Sequence, residues 1–349
     1  MTTTQTLNIG ILGASGYTGA DLVRLLATHR NAAIRGLAAN QHAGKPMRAV
    51  YPHLATLDLP ELVTWEEAAW SALDVVFCAL PHGTTQAIVA QMPRHLTVID
   101  LSADFRLRDP ETYALWYGQP HQATDLQERA VYGLTELNRP ALQGAQLVAC
   151  PGCYPTAVLL ALQPLLAAGS VDPGELIVDA KSGATGAGRK VTQGLLFAEV
   201  GEGTHPYGVG RHRHAPEMEQ ELTAAAGSEV HLSFTPHLLP MNRGELVSCY
   251  VRLSDGATAE DLRTILAKEY DGEPFVHVLP EGESPATRNV RGSNMAVIGV
   301  FADRVPGRAI VIAAIDNLVK GSSGQAIQNM NLVTGLQETT GLMQQPLFP

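Results

Sequence analysis

Cys153 stands between two prolines in Ala149-Cys150-Pro151-Gly152-Cys153-Tyr154-Pro155-Thr156, where a long apolar helical pattern begins. A cysteine at a helix start meets unpaired backbone N–H groups and the positive end of the helix dipole, which favour thiolate over thiol. Pro155 suits the first turn, where its missing N–H costs nothing, and Gly152 lets the backbone come close to whatever the sulfur attacks. Downstream, Thr204 to Glu217 carries His205, His212 and His214 with Arg211 and Arg213, in a glycine-jointed loop just before a helix expected from Pro216. A polar loop of this kind can present an imidazole for proton transfer; its plainer reading is a solvated basic loop. A thiolate working beside a hydride donor can interconvert an acyl group and an aldehyde: the sulfur forms a thioester, and hydride reduces it. That chemistry also needs oriented donors for a tetrahedral oxyanion.

The hydride donor has its own signal. Gly13-Ala14-Ser15-Gly16-Tyr17-Thr18-Gly19 follows an apolar strand pattern and opens a helical one, the setting of a dinucleotide loop whose helix N-terminus holds phosphates. The spacing is GxxGxxG rather than GxGxxG but still supplies the tight turn. The region where an NAD site offers an acid to the ribose hydroxyls reads Gly36 to Lys45, and no Asp or Glu occurs between Asp21 and Asp58. A carboxylate there would repel a 2′-phosphate, whereas Lys45, Arg35 or Asn40 could bind one, so NADP(H) is expected over NAD. As a plain alternative, Lys45 is a solvated loop lysine.

Two rival chemistries share these residues. Cys150 and Cys153 form C-x-x-C, a redox-thiol spacing, but the thioredoxin-like surround is missing. His212, His214 and Cys153 could hold zinc, yet there is no His-Glu-x-x-His frame to supply a base, and no metal is expected. Cys78 and Cys249 lie in apolar, strand-like runs and are expected to be buried structural thiols.

The elements that must position these groups fall into two regimes. Leu7 to Leu12, Ala32 to Ala39, Asp74 to Leu80 and Thr97 to Leu101 read as buried strands alternating with helical patterns, the first at Thr18 to Thr28. Such alternation implies a Rossmann-type, doubly wound parallel sheet. After a helix at Pro155 to Ala168, strands are expected at Glu175 to Ala180, Val230 to Thr235, Glu245 to Arg252, Met295 to Ala302 and Ala309 to Ile315. Helices are expected between them at Pro216 to Ala226 and Ala259 to Tyr270. This is an α/β plus α+β chain whose second domain is mixed and built on a largely antiparallel sheet. A final, semi-polar helix at Ser323 to Gln337 is expected to pack between elements. The first regime reaches to about Cys153, so 1–153 is expected as the NADP-binding domain, with a second domain after it.

Length and composition agree. The 349 residues suffice for two cores at about 150 residues each. With 24 Lys and Arg against 34 Asp and Glu, a net charge of −10 argues against a nucleic-acid or anionic-lipid partner. No apolar run is long enough to span a membrane, Met1 to Gln5 lacks signal-peptide features, and four cysteines fit a reducing cytoplasm.

At these motifs the chain resembles the N-acetyl-γ-glutamyl-phosphate reductases, a family of the semialdehyde dehydrogenase superfamily, and the resemblance runs nearly end to end. It is carried by Gly13 to Gly19, Val148 to Ala157 followed by Pro164, Lys181 to Arg189, Gly210 to Glu217, Phe234 to Gly244, and Asp316 to Ala326. One departure is Cys150, where the family usually has Asn. The resemblance implies NADPH-dependent reduction of N-acetyl-γ-glutamyl phosphate to N-acetyl-L-glutamate 5-semialdehyde and phosphate, in arginine biosynthesis. It implies Cys153 as nucleophile and His214 as acid/base, with His212 as rival for that role. Gly13, Ser15, Gly16, Tyr17, Thr18, Gly19, Lys45 and Asn317 would contact the cofactor. Arg106 and Arg189 would meet the substrate's phosphate or carboxylate, and Ser182 and Gly183 would offer it backbone or hydroxyl donors. The partner implied is a small acyl phosphate, and the assembly a homodimer or homotetramer; 154–316 would be the catalytic and dimerisation domain, and 317–349 would return to the first domain. Rivals are an aminoadipyl-phosphate reductase of lysine biosynthesis, an aspartate semialdehyde dehydrogenase, which the His212-Arg213-His214 loop fits poorly, and an NADP-binding sensor without turnover.

Overall fold

The computed structural model describes residues 6–348; the segment Met1 to Gln5, read above as lacking signal-peptide features, lies outside the described residues. The chain divides into two compact units. One runs up to Pro151 and includes Ser322–Met343; the other is Gly152–Gly321 with the residues from Gln344 on. Cys153 and Asn317 therefore both belong to the second unit, and the chain returns to the first at 322 rather than at 317.

The first unit is a seven-stranded sheet whose neighbouring strands all pair in parallel. Its strands are β1 (Leu7–Leu12), β2 (Ala32–Ala38), β3 (Leu62–Val63), β4 (Val75–Cys78), β5 (Thr97–Asp100), β6 (Val131–Tyr132) and β7 (Leu147–Ala149), in the order β3-β2-β1-β4-β5-β7-β6. The order reverses between β1 and β4, and an open parallel sheet presents a ligand crevice beyond the strand ends at such a reversal. Short runs such as Val75–Cys78, buried at every position, are the sequence sign of strands covered on both faces. The final helix, Gly324–Val333, explains its own semi-polar pattern: Gln325, Gln328, Asn329 and Asn331 are all buried. Gln325 Nε2 donates to Thr135 Oγ1 at 2.6 Å, Gln328 Nε2 to Glu136 Oε1 at 2.8 Å, and Asn329 Nδ2 to the Gly133 carbonyl at 2.8 Å. Buried amides that find partners in this way avoid an otherwise heavy desolvation cost.

The second unit is a seven-stranded mixed sheet: β8 (Val171–Gly183), β9 (His205–Pro206), β10 (Leu232–Leu239), β11 (Glu245–Leu253), β12 (Val276–Val278), β13 (Ala296–Ala302) and β14 (Arg308–Ile315). Their order is β12-β13-β14-β11-β8-β10-β9. Pairs β13/β14, β14/β11, β11/β8 and β10/β9 are antiparallel, and β8/β10 and β12/β13 are parallel. Strand β10 continues through Pro236, past the expected end at Thr235. Pro236 is tolerated because β9 covers only His237 and Leu238 of that strand, so a missing N–H breaks no long ladder. The helix Cys153–Ala167 is apolar on every side and buries Tyr154 through Leu162 along with Leu165 and Leu166. Such a helix must lie inside the core, which gives Cys153 a rigid mount. Among the described residues, no helix is long and apolar enough to cross a membrane.

Candidate active site

In the second unit, Cys153 is the first residue of its helix and Gly152 the N-cap, with extended backbone and no side chain to cap the turn. The cap comes from elsewhere: Glu217, 1% exposed on the helix Ala215–Ala226, accepts the Gly152 N–H at 2.9 Å. Gly152 is also a steric requirement. A Cβ there would lie 2.5 Å from Nε2 of His214, so the imidazole rests directly on the backbone that precedes the sulfur. Gly321 plays the same part on another side, where a Cβ would fall 2.8 Å from Cβ of Cys153. Cys153 itself is half-buried, while Cys78, Cys150 and Cys249 are buried, and none of the four is in a disulfide.

His214 caps the helix Ala215–Ala226, with Pro216 in its first turn. Its backbone N–H donates to Nδ1 of His212 at 3.2 Å. His212 is packed edge-on against Tyr154, Tyr207 and Phe234. Burial, with the Arg213 charge as a smaller contribution, pushes its pKa down to about 4. His212 is thus neutral at physiological pH with Nδ1 already accepting, which suits a support for the loop better than a proton carrier. Of the two imidazoles, His214 is the one against the nucleophile's helix start.

Residues to which the sequence assigned no role complete the site. Tyr154 and Tyr207 share a hydroxyl hydrogen bond of 2.9 Å, and burial holds both phenols well above their ordinary range. Glu245, the first residue of β11, is fully buried and interacts with the Cys153 thiol. The signal for Glu245 was a carboxylate opening an otherwise inward-facing apolar strand, and for Glu217 one in the first turn of a helix facing the cysteine's own.

The expected substrate and cofactor residues divide. Ser182 is buried and its hydroxyl donates to the Gly183 carbonyl at 3.3 Å. The Gly183 N–H, expected to face substrate, instead donates to the Gly244 carbonyl at 2.9 Å, because the β8 end folds against the 241–244 turn. Asn317, expected at the cofactor, accepts the Gly244 N–H at 2.9 Å and donates to Thr185 Oγ1 at 3.0 Å, so its amide ties loops of the second unit together. Arg189 is exposed. In the first unit, Arg106 is buried, with Nε donating to the Cys150 carbonyl at 2.8 Å and an η nitrogen to the Leu101 carbonyl at 2.9 Å.

The glycine loop has the form that a dinucleotide phosphate needs. Gly13 has φ +75°, and a Cβ there would fall 2.2 Å from the Ala79 carbonyl oxygen at the end of β4. Gly16 caps the helix Tyr17–Leu26, and a Cβ on Gly19 would lie 2.4 Å from the Gly13 carbonyl oxygen. The Ser15 carbonyl accepts the Tyr51 hydroxyl at 3.0 Å, and Thr18 Oγ1 meets Ser322 Oγ at 3.3 Å. The loop thus sits at the sheet's β1/β4 reversal, with Lys45 exposed after β2. Among the described residues, no group of three or more His, Cys, Asp or Glu side chains is arranged to hold a metal ion.

Comparison with known proteins converges on one family. Residues 8–145 match the model of the semialdehyde dehydrogenase NAD binding domain, and residues 153–317 that of the semialdehyde dehydrogenase dimerisation domain. The N-acetyl-gamma-glutamyl-phosphate reductase of Rhodospirillum rubrum is 58% identical over 99% of both chains. A probable chloroplastic N-acetyl-gamma-glutamyl-phosphate reductase of Arabidopsis thaliana is 54% identical over 98% of this chain and 86% of its own length. Among solved structures, aspartate semialdehyde dehydrogenase II from Vibrio cholerae superposes with a TM-score of 0.71 at 16% identity, covering 95% of this chain and 99% of that one. Aspartate semialdehyde dehydrogenase with NADP from Candida albicans gives 0.67 at 17%, covering 95% and 99%.

Proposed function

The chain belongs to the semialdehyde dehydrogenase family, and from that membership we propose that it reduces N-acetyl-γ-glutamyl phosphate to N-acetyl-L-glutamate 5-semialdehyde, in arginine biosynthesis. The observation that carries the reading is the His214 imidazole packed on Gly152, beside a cysteine at a helix start. Cys153 Sγ attacks the acyl carbon, the carbon–oxygen bond to phosphate breaks, and phosphate leaves with the bonding pair. NADPH, when bound, supplies the hydride that reduces the resulting thioester. His214 holds the proton that the tetrahedral oxygen needs and takes it back as the carbonyl forms and the thiolate departs. Glu217, through the Gly152 N–H, fixes the turn on which both groups depend.

The first unit is the cofactor domain, with phosphates at the Gly13 to Gly19 loop and Lys45 at the 2′-phosphate. The second is the catalytic and dimerisation domain, in which Ser182 and Arg189 face the acyl phosphate. Arg106 serves the substrate only if it gives up a carbonyl, so its role is support of the Cys150 strand end. Self-association as a homodimer or homotetramer uses the second unit's sheet, and four cysteines outside any disulfide fit a cytoplasmic site of action.

The test is the reverse reaction, phosphate-dependent reduction of NADP by N-acetylglutamate semialdehyde, run beside the aminoadipyl and aspartyl semialdehydes and with NAD. The expected result is a kcat/KM for the glutamyl substrate with NADP about 10²-fold above the others. Preference for another semialdehyde would overturn the substrate assignment.

A further inference from the structure

Glu245 is 0% exposed, at the start of β11, where its backbone lies opposite Ser182 of β8 and Ile315 of β14. Ile315 is in turn against Gly321, whose other neighbour is Cβ of Cys153. The carboxyl group feels Cys153 electrostatically, and neither of its oxygens has a hydrogen-bond partner among the described residues. A buried carboxyl without backbone N–H donors or a cation is a poor place for a negative charge.

The groups around it sharpen that point. Tyr154 and Cys153 face it from the helix Cys153–Ala167, Tyr207 from the loop after β9, and Asp316 from the end of β14. None of these brings a positive charge. Asp316 is fully buried but well supplied, accepting the Gly292 N–H at 2.6 Å and the Leu318 N–H at 2.8 Å, with an Arg243 nitrogen 3.7 Å away. Asp316 in turn opposes a negative charge on Glu245. Burial first, and to a lesser degree Asp316, push the Glu245 carboxyl up to about 8, while the Cys153 thiol acts in the opposite sense.

We propose that Glu245 is a positioning residue that shares one proton with Cys153, donating a carboxylic O–H to the thiolate so that the buried pair carries a single negative charge when the sulfur is reactive. The one-proton pair can be written as thiol with carboxylate or as thiolate with carboxylic acid. Moving the proton from Sγ to an Oε converts the first into the second without changing net charge. A neutral acid beside the sulfur orients and stabilises the nucleophile, whereas an ionised one opposes it. The proposal rests on the reading of Cys153 as nucleophile.

The experiment is the rate of iodoacetamide labelling against pH, with peptide mapping to confirm Cys153 as the labelled site. The native protein should show two rises, because the second negative charge must be forced into the pair at high pH. Glu245→Gln keeps a donor but cannot ionise, so it should show one rise and retain the native rate at pH 7 within about threefold. Glu245→Leu removes the donor and should label at least about tenfold more slowly at pH 7. A single rise in the native protein, superimposable on that of Glu245→Gln, would overturn the pairing, and the native profile alone decides this if a variant does not fold. If Cys153→Ser keeps full turnover, the nucleophile reading fails instead, and the two failures are distinguishable.

Discussion

Cys150 and Cys153 lie on either side of Pro151-Gly152, and their surroundings differ in every respect that controls a thiol. Cys150 follows β7 in the first unit, 1% exposed, with its N–H donating to the Asp100 carbonyl at 2.8 Å and its carbonyl accepting from Arg106. Its sulfur accepts from Asn329 Nδ2 at 3.5 Å, and burial pushes the thiol up to about 12 despite that contact. Cys153 opens a helix in the second unit, half-buried, against an imidazole-bearing loop and a carboxyl group. The buried carboxyls nearby differ in parallel. Asp100 has both oxygens bonded by Ser102, from its N–H at 3.1 Å and its hydroxyl at 2.8 Å, whereas neither oxygen of Glu245 has a hydrogen-bond partner among the described residues. One neighbourhood is satisfied and inert; the other leaves polar capacity open for chemistry.

The largest expected effect comes from exchanging the two sulfurs for hydroxyls. Cys153→Ser should lower kcat by at least about 10³-fold, because an alcohol without a strong base is a poor nucleophile. Cys150→Ser should leave kcat within about threefold, since its sulfur makes one long hydrogen bond. Steady-state assays of both variants check this, and an equal loss in the two would erase the contrast.

Next is Gly152→Ala. The new methyl would stand 2.5 Å from His214 Nε2, closer than real atoms approach, and the imidazole must move. A misplacement of that size should cost about 10²-fold in kcat. In a His214→Asn background the same change should cost far less, because two substitutions that disable one group are not additive. Full additivity would show that His214 is not the group displaced.

The carboxyls give effects of opposite sign on stability. Glu245 has a folded-state pKa of about 8 against an ordinary 4.5, so its burial costs nothing below about pH 4.5 and increasingly more as pH rises towards 8. Glu245→Gln should therefore stabilise the protein at pH 9 by on the order of 3 kcal/mol, a gain that fades towards pH 5. Asp100 is also raised, to about 7, by burial, so its ionisation likewise costs stability as pH rises from about 4 to 7. Asp100→Asn nevertheless sets an amide against the Ser102 N–H and hydroxyl, and a net loss of about 1–2 kcal/mol is expected at about pH 3.5, below the ordinary carboxylate value, where no ionisation penalty remains to be relieved. Urea melts of the two variants at about pH 3.5 and 9 check both signs.

The parallel sheet was legible because its strands are short, uniformly apolar runs set off by glycine turns, as at Leu7–Leu12 and Val75–Cys78. The strands without a readable pattern, Leu62–Val63, Val131–Tyr132, Leu147–Ala149, His205–Pro206 and Val276–Val278, have two or three residues each, too few to show a period. The helix starts at Cys153 and His214 could be read because each has its own local grammar of Gly and Pro. Glu245 shows in the sequence only as a carboxylate opening an apolar strand; the lack of hydrogen-bond partners around it is a tertiary property. Asn317 and Gly183 show the converse: residues with suggestive chemistry whose polar groups are taken up locally, the Asn317 carbonyl oxygen by the Gly244 N–H and its amide by Thr185, and the Gly183 N–H by the Gly244 carbonyl.

The smallest expected effect belongs to the first unit and separates binding from chemistry. Lys45 is exposed on the loop after β2, where no carboxylate occurs between Asp21 and Asp58 to favour a free ribose hydroxyl. An exposed ammonium acts through screened water, so its contribution to holding a 2′-phosphate is modest. Lys45→Ala should raise KM for NADPH about three- to tenfold at low ionic strength, leave KM for NADH within about twofold, and leave kcat unchanged. Added salt should shrink the difference between native and variant, because screening removes from the native protein what the substitution removes from the other. A fall in kcat, or an equal rise in KM for both nucleotides, would mean that Lys45 supports the fold of the loop and not the phosphate, and NADPH selectivity would then have to come from Arg35 or Asn40.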